Sequence, residues 1–236
     1  SILHLSHRCR GMCATALLAA GLLAGCATGS GVPAVLDPVS SPEWATDMAR
    51  FAAEDAATPP PERPIVFTGS SSVRMWDTLA ADFPEVTVLN RGFGGSQVRD
   101  AIWYADEVAL RYRPRQIVLY AGDNDIAEGR SAAQVLADTQ AFVTRIRTTQ
   151  PGTPIALLGI KPSPSRAHLL GVQRDANTAL RDWAATQRNV AYIDVFTPML
   201  DADGVPREDL FIADRLHMNA AGYAMWKDII GPYLVR

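Results

Sequence analysis

Cysteine is nearly absent from this 236-residue chain, and its three copies, Cys9, Cys13 and Cys26, all fall near the amino terminus. Whatever folds beyond them is expected to have no disulfides and no thiolate metal site. Histidine is scarce as well, with only His4, His7, His168 and His217. So few, so widely separated, cannot supply the usual ligand cluster of a metallohydrolase, and neither a metal nor another cofactor is expected. Charge of one sign is also lacking: the formal net charge of −3 gives no reason to expect a nucleic-acid partner. The apolar run from Met12 to Leu23 is too short to span a bilayer comfortably. What is plentiful is apolar side chain, 48% of the residues, enough for a sizeable core in what the length suggests is one domain.

The short apolar run follows Arg8 and Arg10 and ends in Leu23-Ala24-Gly25-Cys26. This pattern resembles a bacterial lipoprotein signal, in which cleavage falls before the cysteine and the cysteine carries the lipid. An ordinary secretory signal or an uncleaved anchor is the plainer alternative. The resemblance implies a signal peptide over residues 1–25 and membrane attachment through a lipid on Cys26. Ala27 follows the cysteine where Asp would favour the inner membrane. By resemblance to Gram-negative sorting, the expected location is the cell envelope, as an outer-membrane lipoprotein facing the periplasm. Translation from Met12 would discard both arginines. Cleavage would leave 20 basic against 25 acidic side chains, a formal charge of −5, and only His168 and His217. Residues 26–41 are rich in Gly, Ser, Pro and other small residues and read as a flexible tether.

From residue 42 to 236 the pattern alternates. Pro42 to Ala57 predicts a helix with Trp44, Met48 and Phe51 on one face. Ile65-Val66-Phe67-Thr68 predicts a buried strand that stops at Gly69 and runs into Ser70-Ser71-Ser72, with Met75, Trp76 and Leu79 then recurring at helical spacing. Val86 to Leu89 predicts a second strand, followed by Asn90-Arg91-Gly92-Phe93-Gly94-Gly95-Ser96 and a helix through Val98, Ile102, Ala105 and Ala109. Gln116 to Tyr120 is a third strand, running into Ala121-Gly122-Asp123-Asn124-Asp125. Ser131 caps a long helix; Ile155 to Ile160 and Val190 to Val195 are two further strands. Between them, His168 to Arg188 predicts a helix with Leu169, Val172, Ala176, Leu180 and Trp183 inward. Asn219 caps a last helix through Tyr223, Trp226 and Ile230. Alternating strands and helices imply a parallel sheet covered on both faces, a three-layer α/β/α domain.

In such a sheet the residues just after the strands collect at one edge, which brings Ser71, Gly95 and Asn124 near one another. Asp214 and His217 are three residues apart, so one turn of chain can place an acid beside an imidazole and leave the other ring nitrogen for a serine hydroxyl. Glycine at 95 would let a backbone N–H approach a developing oxyanion, and Asn124 could donate a second hydrogen bond. Each piece alone has a plainer explanation: a serine-rich helix cap, a turn that needs positive φ, a solvated loop, a structural histidine.

Taken in order, Gly-Ser-Ser, Asn-x-Gly-x-Gly-Gly, Gly-x-Asn-Asp and Asp-x-x-His resemble the SGNH hydrolases, also called the GDSL esterase/lipase family, over about Arg63 to the end. The resemblance implies a flavodoxin-like, five-stranded sheet of order 2-1-3-4-5. It also implies a catalytic triad of Ser71, His217 and Asp214, and an oxyanion hole of Ser71 N–H, Gly95 N–H and Asn124 Nδ2. Ser70 stands where the family name has aspartate, which leaves the choice among Ser70, Ser71 and Ser72 to alignment. An α/β-hydrolase elbow fits worse, because Val73 replaces the second glycine of Gly-x-Ser-x-Gly. The implied reaction is hydrolysis of small, acetyl-like acyl esters, the substrate being a small molecule or a glycan ester. A cell-envelope O-acyltransferase with the same triad, or a non-catalytic lipoprotein that binds carbohydrate or lipid, are the alternatives.

Overall fold

The structure, a computed structural model, describes residues 42–236. The positions of the expected signal peptide (1–25), of the expected lipid anchor (Cys26) and of the expected tether (26–41) lie outside the described residues.

The chain begins with α1 (Pro42–Ala57), enters β1 (Ile65–Gly69), and turns through two single-turn helices, α2 (Ser71–Arg74) and α3 (Leu79–Asp82), to β2 (Val88–Gly92). Next come α4 (Val98–Trp103), α5 (Ala105–Val108), β3 (Gln116–Tyr120), α6 (Asp123–Ala127) and α7 (Ala132–Thr149). The remainder is β4 (Ile155–Leu158), α8 (Leu170–Ala184), β5 (Val190–Ile193) and α9 (Ala220–Ile230). The strands pair in the order β2-β1-β3-β4-β5, all parallel, which is the order the family resemblance implies.

Strand periodicity divides the core. Ile65, Phe67, Val118, Tyr120, Ala156 and Leu158 face one layer, where Trp76, Phe83 and Trp226 pack with ring centroids 5.7–6.0 Å apart. Ile117, Leu119, Ile155 and Leu157 face the other, against Phe51 of α1, Val108 of α5 and Phe142 and Ile146 of α7. One-residue alternation is what a sheet buried on both faces requires, and it makes the register costly to shift.

Several boundaries differ from expectation, and at the strand ends the reason is polar. The second strand runs to Gly92 because Asn90, Arg91 and Gly92 pair with Phe67, Thr68 and Gly69. The buried Arg91 is held there by Asp55 at 2.6 Å and by the Tyr112 hydroxyl at 2.8 Å. The fourth strand ends at Leu158, since the Asn177 carboxamide takes over the hydrogen bonds of Ile160, accepting from its N–H at 2.7 Å and donating to its C=O at 2.9 Å. The fifth ends at Ile193, where the Asp194 carboxylate accepts from the N–H groups of Phe196 and Thr197. The helix expected from Val98 to Ala109 breaks at Tyr104. The helix expected from His168 starts at Leu170, and Val172 is 37% exposed rather than inward. Its buried face is Gln173, Ala176, Asn177, Leu180 and Ala184. Ala176 and Leu180 are buried as expected, and Leu169 and Trp183 pack partly buried against the core. Two of the five buried positions are amides with partners inside the fold, which apolar spacing did not mark. Ser131 and Asn219 cap α7 and α9 as expected, Ser131 in a reciprocal box with Gln134.

Candidate active site

The carboxyl ends of β2, β1 and β3 lie side by side, and each continues into a segment that lines one cleft. After β1, Ser70 to Ser72 open α2. Among the described residues none of the three hydroxyls makes a helix cap: Ser70 makes no capping bond, and Ser72 Oγ is buried with no hydrogen-bond partner there. Ser71 alone of the three reaches the cleft, and its Oγ lies 2.9 Å from His217 Nε2. As the first residue of a helix, Ser71 has an N–H with no intrahelical acceptor.

Asp214 and His217 belong to a non-helical turn, and one turn of chain places the acid beside the imidazole as expected. Asp214 Oδ1 accepts the backbone N–H groups of Leu216 and His217, each at 2.9 Å, folding the chain back on itself. That leaves Oδ2 for His217 Nδ1 at 2.6 Å. Arg215 takes φ +59 to make the turn. Its strain is offset by the turn's own hydrogen bonds, Arg215 N–H to Ile212 C=O and Ile212 N–H to His217 C=O, both 2.9 Å. Burial works to raise the Asp214 carboxyl pKa, but the hydrogen bonds from the His217 side chain and from the two N–H groups outweigh it and bring it down to about 2. With Oδ2 accepting from Nδ1, the neutral imidazole carries its proton on Nδ1 and presents Nε2 as an acceptor to the serine hydroxyl.

Gly95 sits beyond β2 with φ +78, a conformation that favours glycine, and its N–H has no acceptor among the described residues. Asn124 follows β3 as the second residue of α6. Its Nδ2 donates to Ser96 C=O at 3.0 Å, which ties the two loops together and uses one of its two hydrogens. Its Oδ1 accepts from both terminal nitrogens of Arg166, each at 3.2 Å, so the amide cannot turn its oxygen to the cleft without losing both contacts. Ser71, Gly95, Asn124 and His217 thus line a single open cleft of about 530 Å³, together with Asp47, Arg74, Gly94 and Leu216. Among the described residues no group of three or more His, Cys, Asp or Glu could hold a metal ion.

The structure adds residues that motif reading missed. Asp123, beside Asn124, is buried with Lys161 Nζ at 3.0 Å and Arg166 at 2.9 Å. Burial opposes its ionisation, but the two cations and their hydrogen bonds outweigh it and hold the carboxyl below its usual range. Asp125, fully buried, accepts the Val98 N–H at 3.1 Å and so joins α6 to the start of α4. Lys161 is fully buried, which for a lysine requires a partner such as Asp123, and nothing in the local sequence marks that burial.

A serine and a histidine–carboxylate pair, brought to the carboxyl edge of a three-layer parallel sheet, define an acyl-transfer class of site. The sequence model of the GDSL-like lipase/acylhydrolase family matches residues 58–225. The alpha2 subunit of platelet-activating factor acetylhydrolase IB from Rattus norvegicus is 30% identical over 176 residues, covering 69% of this chain and 72% of that protein. Two solved structures share the fold. One, from Streptococcus pneumonia, has a TM-score of 0.72 at 24% identity and covers 82% of this chain and 93% of that one. The other, a GDSL-like lipase from Bacteroides thetaiotaomicron, has a TM-score of 0.67 at 19% identity and covers 79% and 96%. The chain belongs to the GDSL-like lipase/acylhydrolase family, and that membership supports ester hydrolysis as its reaction class.

Proposed function

We propose that the protein is a serine esterase acting on esters of small, acetyl-like acyl groups. The observation that carries this reading is the continuous contact Ser71 Oγ–His217 Nε2 at 2.9 Å and His217 Nδ1–Asp214 Oδ2 at 2.6 Å. Ser71 Oγ attacks the ester carbonyl as its proton passes to Nε2, and the carbonyl π pair becomes the oxyanion. Ser71 N–H, Gly95 N–H and the second hydrogen of Asn124 Nδ2 are the donors for that charge. Asp214, ionised down to about pH 2, keeps the imidazole oriented and stabilises the imidazolium. The C–O bond to the leaving alcohol then breaks, and the alcohol leaves with the proton from Nε2. Water repeats the cycle on the acyl-serine, releasing the acid and restoring the serine. The acetylhydrolase name of the curated relative supports an acetyl-sized acyl group.

The test is labelling and turnover together. A serine-trapping phosphonate should modify Ser71, and Ser71→Ala should lose the label and on the order of 10³ or more in turnover. Label found on Ser70 or Ser72, or turnover retained by Ser71→Ala, would sink the assignment.

A further inference from the structure

We propose that the ester this cleft accepts carries an anionic group, a carboxylate or a phosphate, and that Arg74 holds it. The inference rests on the esterase reading and goes further by naming the substrate's charge.

Arg74 lies three residues after Ser71 on the same turn of helix and lines the same cleft. Its guanidinium has no carboxylate within ion-pair distance among the described residues and is exposed. It rests against the loop that carries Gly95: a β-carbon at Gly94 would fall 2.8 Å from Nε and 3.2 Å from Nη2. The missing side chain at Gly94 is therefore what seats the guanidinium beside the oxyanion donors. Asp47, the other ionic side chain on the cleft wall, shares Arg50 with Glu54, each contact being 3.0 Å.

Beneath Asn124, Lys161 and Arg166 share one carboxylate, Asp123. The ionised Asp214 of the same site offsets their excess charge, so Arg74 is the cleft cation without a carboxylate partner among the described residues. Among the described residues Leu216 is the only aliphatic side chain lining the cleft, so little there rewards a greasy substrate. The planar fork of arginine matches the paired oxygens of a carboxylate or phosphate. The oxyanion itself does not need Arg74, having three donors of its own, so this cation is available to a second negative group on the substrate.

The anion could sit on the acyl or the alcohol side, and paired esters distinguish them. The acyl pair is 4-nitrophenyl hemisuccinate against 4-nitrophenyl butyrate; the alcohol pair is 4-acetoxybenzoate against its methyl ester. The readout is the anionic-to-neutral ratio of kcat/KM within each pair, for wild type, Arg74→Gln and Arg74→Lys. For at least one pair, Arg74→Gln should lower the ratio about tenfold, as loss of a charge-assisted contact does, and Arg74→Lys should restore part of it. In wild type the same ratio should fall as salt screens the pair. Arg74 is exposed, so a melting curve matching wild type is expected for both variants. Ratios that move less than about twofold in both pairs would overturn the role of Arg74 while leaving the esterase reading intact. Failure of wild type to hydrolyse any of the four esters would overturn that reading, and this one with it.

Discussion

Asn124 is the residue whose surroundings say most about how the site is held. A carboxamide is nearly symmetric in shape, and only its hydrogen bonds decide which end faces a ligand. Here Arg166 takes the oxygen and Ser96 C=O takes one hydrogen, leaving the other for the cleft. Asn124→Ala should lower kcat by roughly 10²–10³ with little change in KM, the signature of a donor used mainly in the transition state. Arg166→Met should produce a smaller fall in kcat, about tenfold, by freeing the amide to turn. If Arg166 acts through Asn124, the double variant should be no slower than Asn124→Ala alone, and a fully additive cycle would refute that dependence.

At the scale of elements, a buried carboxylate joins the loops that carry the site, in addition to the apolar contacts of Phe93, Val98 and Ala121. Asp125 links α6 to α4, and burial raises its carboxyl to about 7 against the modest pull of the Val98 N–H. The sign of the consequence follows from that direction. A carboxyl that holds its proton more tightly in the fold than in the unfolded chain favours folding at low pH. That advantage is fully present below about 3.8 and is lost as pH rises towards about 7. Asp125→Asn keeps an oxygen to accept from Val98 but cannot ionise. It should therefore melt above wild type at pH 8, with the gap closing as pH falls below about 4. A variant that melts lower than wild type at pH 8 would show that the charge itself stabilises the junction.

For the molecule as a whole, the connections near the carboxyl edge decide what size of substrate fits. The stretch from Thr197 to Phe211 forms two single-turn 3-10 segments around a Leu200–Pro206 bridge, and it carries Asp201, Asp203, Glu208 and Asp209. None of its residues lines the 530 Å³ cleft, which is open and mostly polar. A buried methylene contributes about 0.8 kcal/mol, so an enclosed acyl tunnel would gain specificity with every carbon added. This cleft should stop gaining after a few. In a chain-length series on one leaving group, kcat/KM is expected to peak between acetyl and about hexanoyl. A maximum at about twelve carbons or beyond would overturn the open-cleft reading.

The order of elements, the capping of α7 and α9 and the motif positions were all legible in the sequence, because caps, strand ends and apolar periodicity are local. The same locality explains why Ser71, Gly95 and Asn124 could be placed at one edge: parallel strands send the residues that follow them to the same side. The misplaced strand ends and the unexpected buried amides of α8 have the opposite cause. Asn177, Gln173, Arg91 and Lys161 are buried against partners 17 to 50 residues away, and no local pattern marks a polar side chain whose partner is that distant. Among three adjacent hydroxyls the family resemblance already pointed to Ser71, but its contact with a histidine 146 residues away is tertiary and no local pattern shows it. Local pattern determined which elements form, while charge pairing and hydrogen bonding across the fold decided where they stop and which side chains meet.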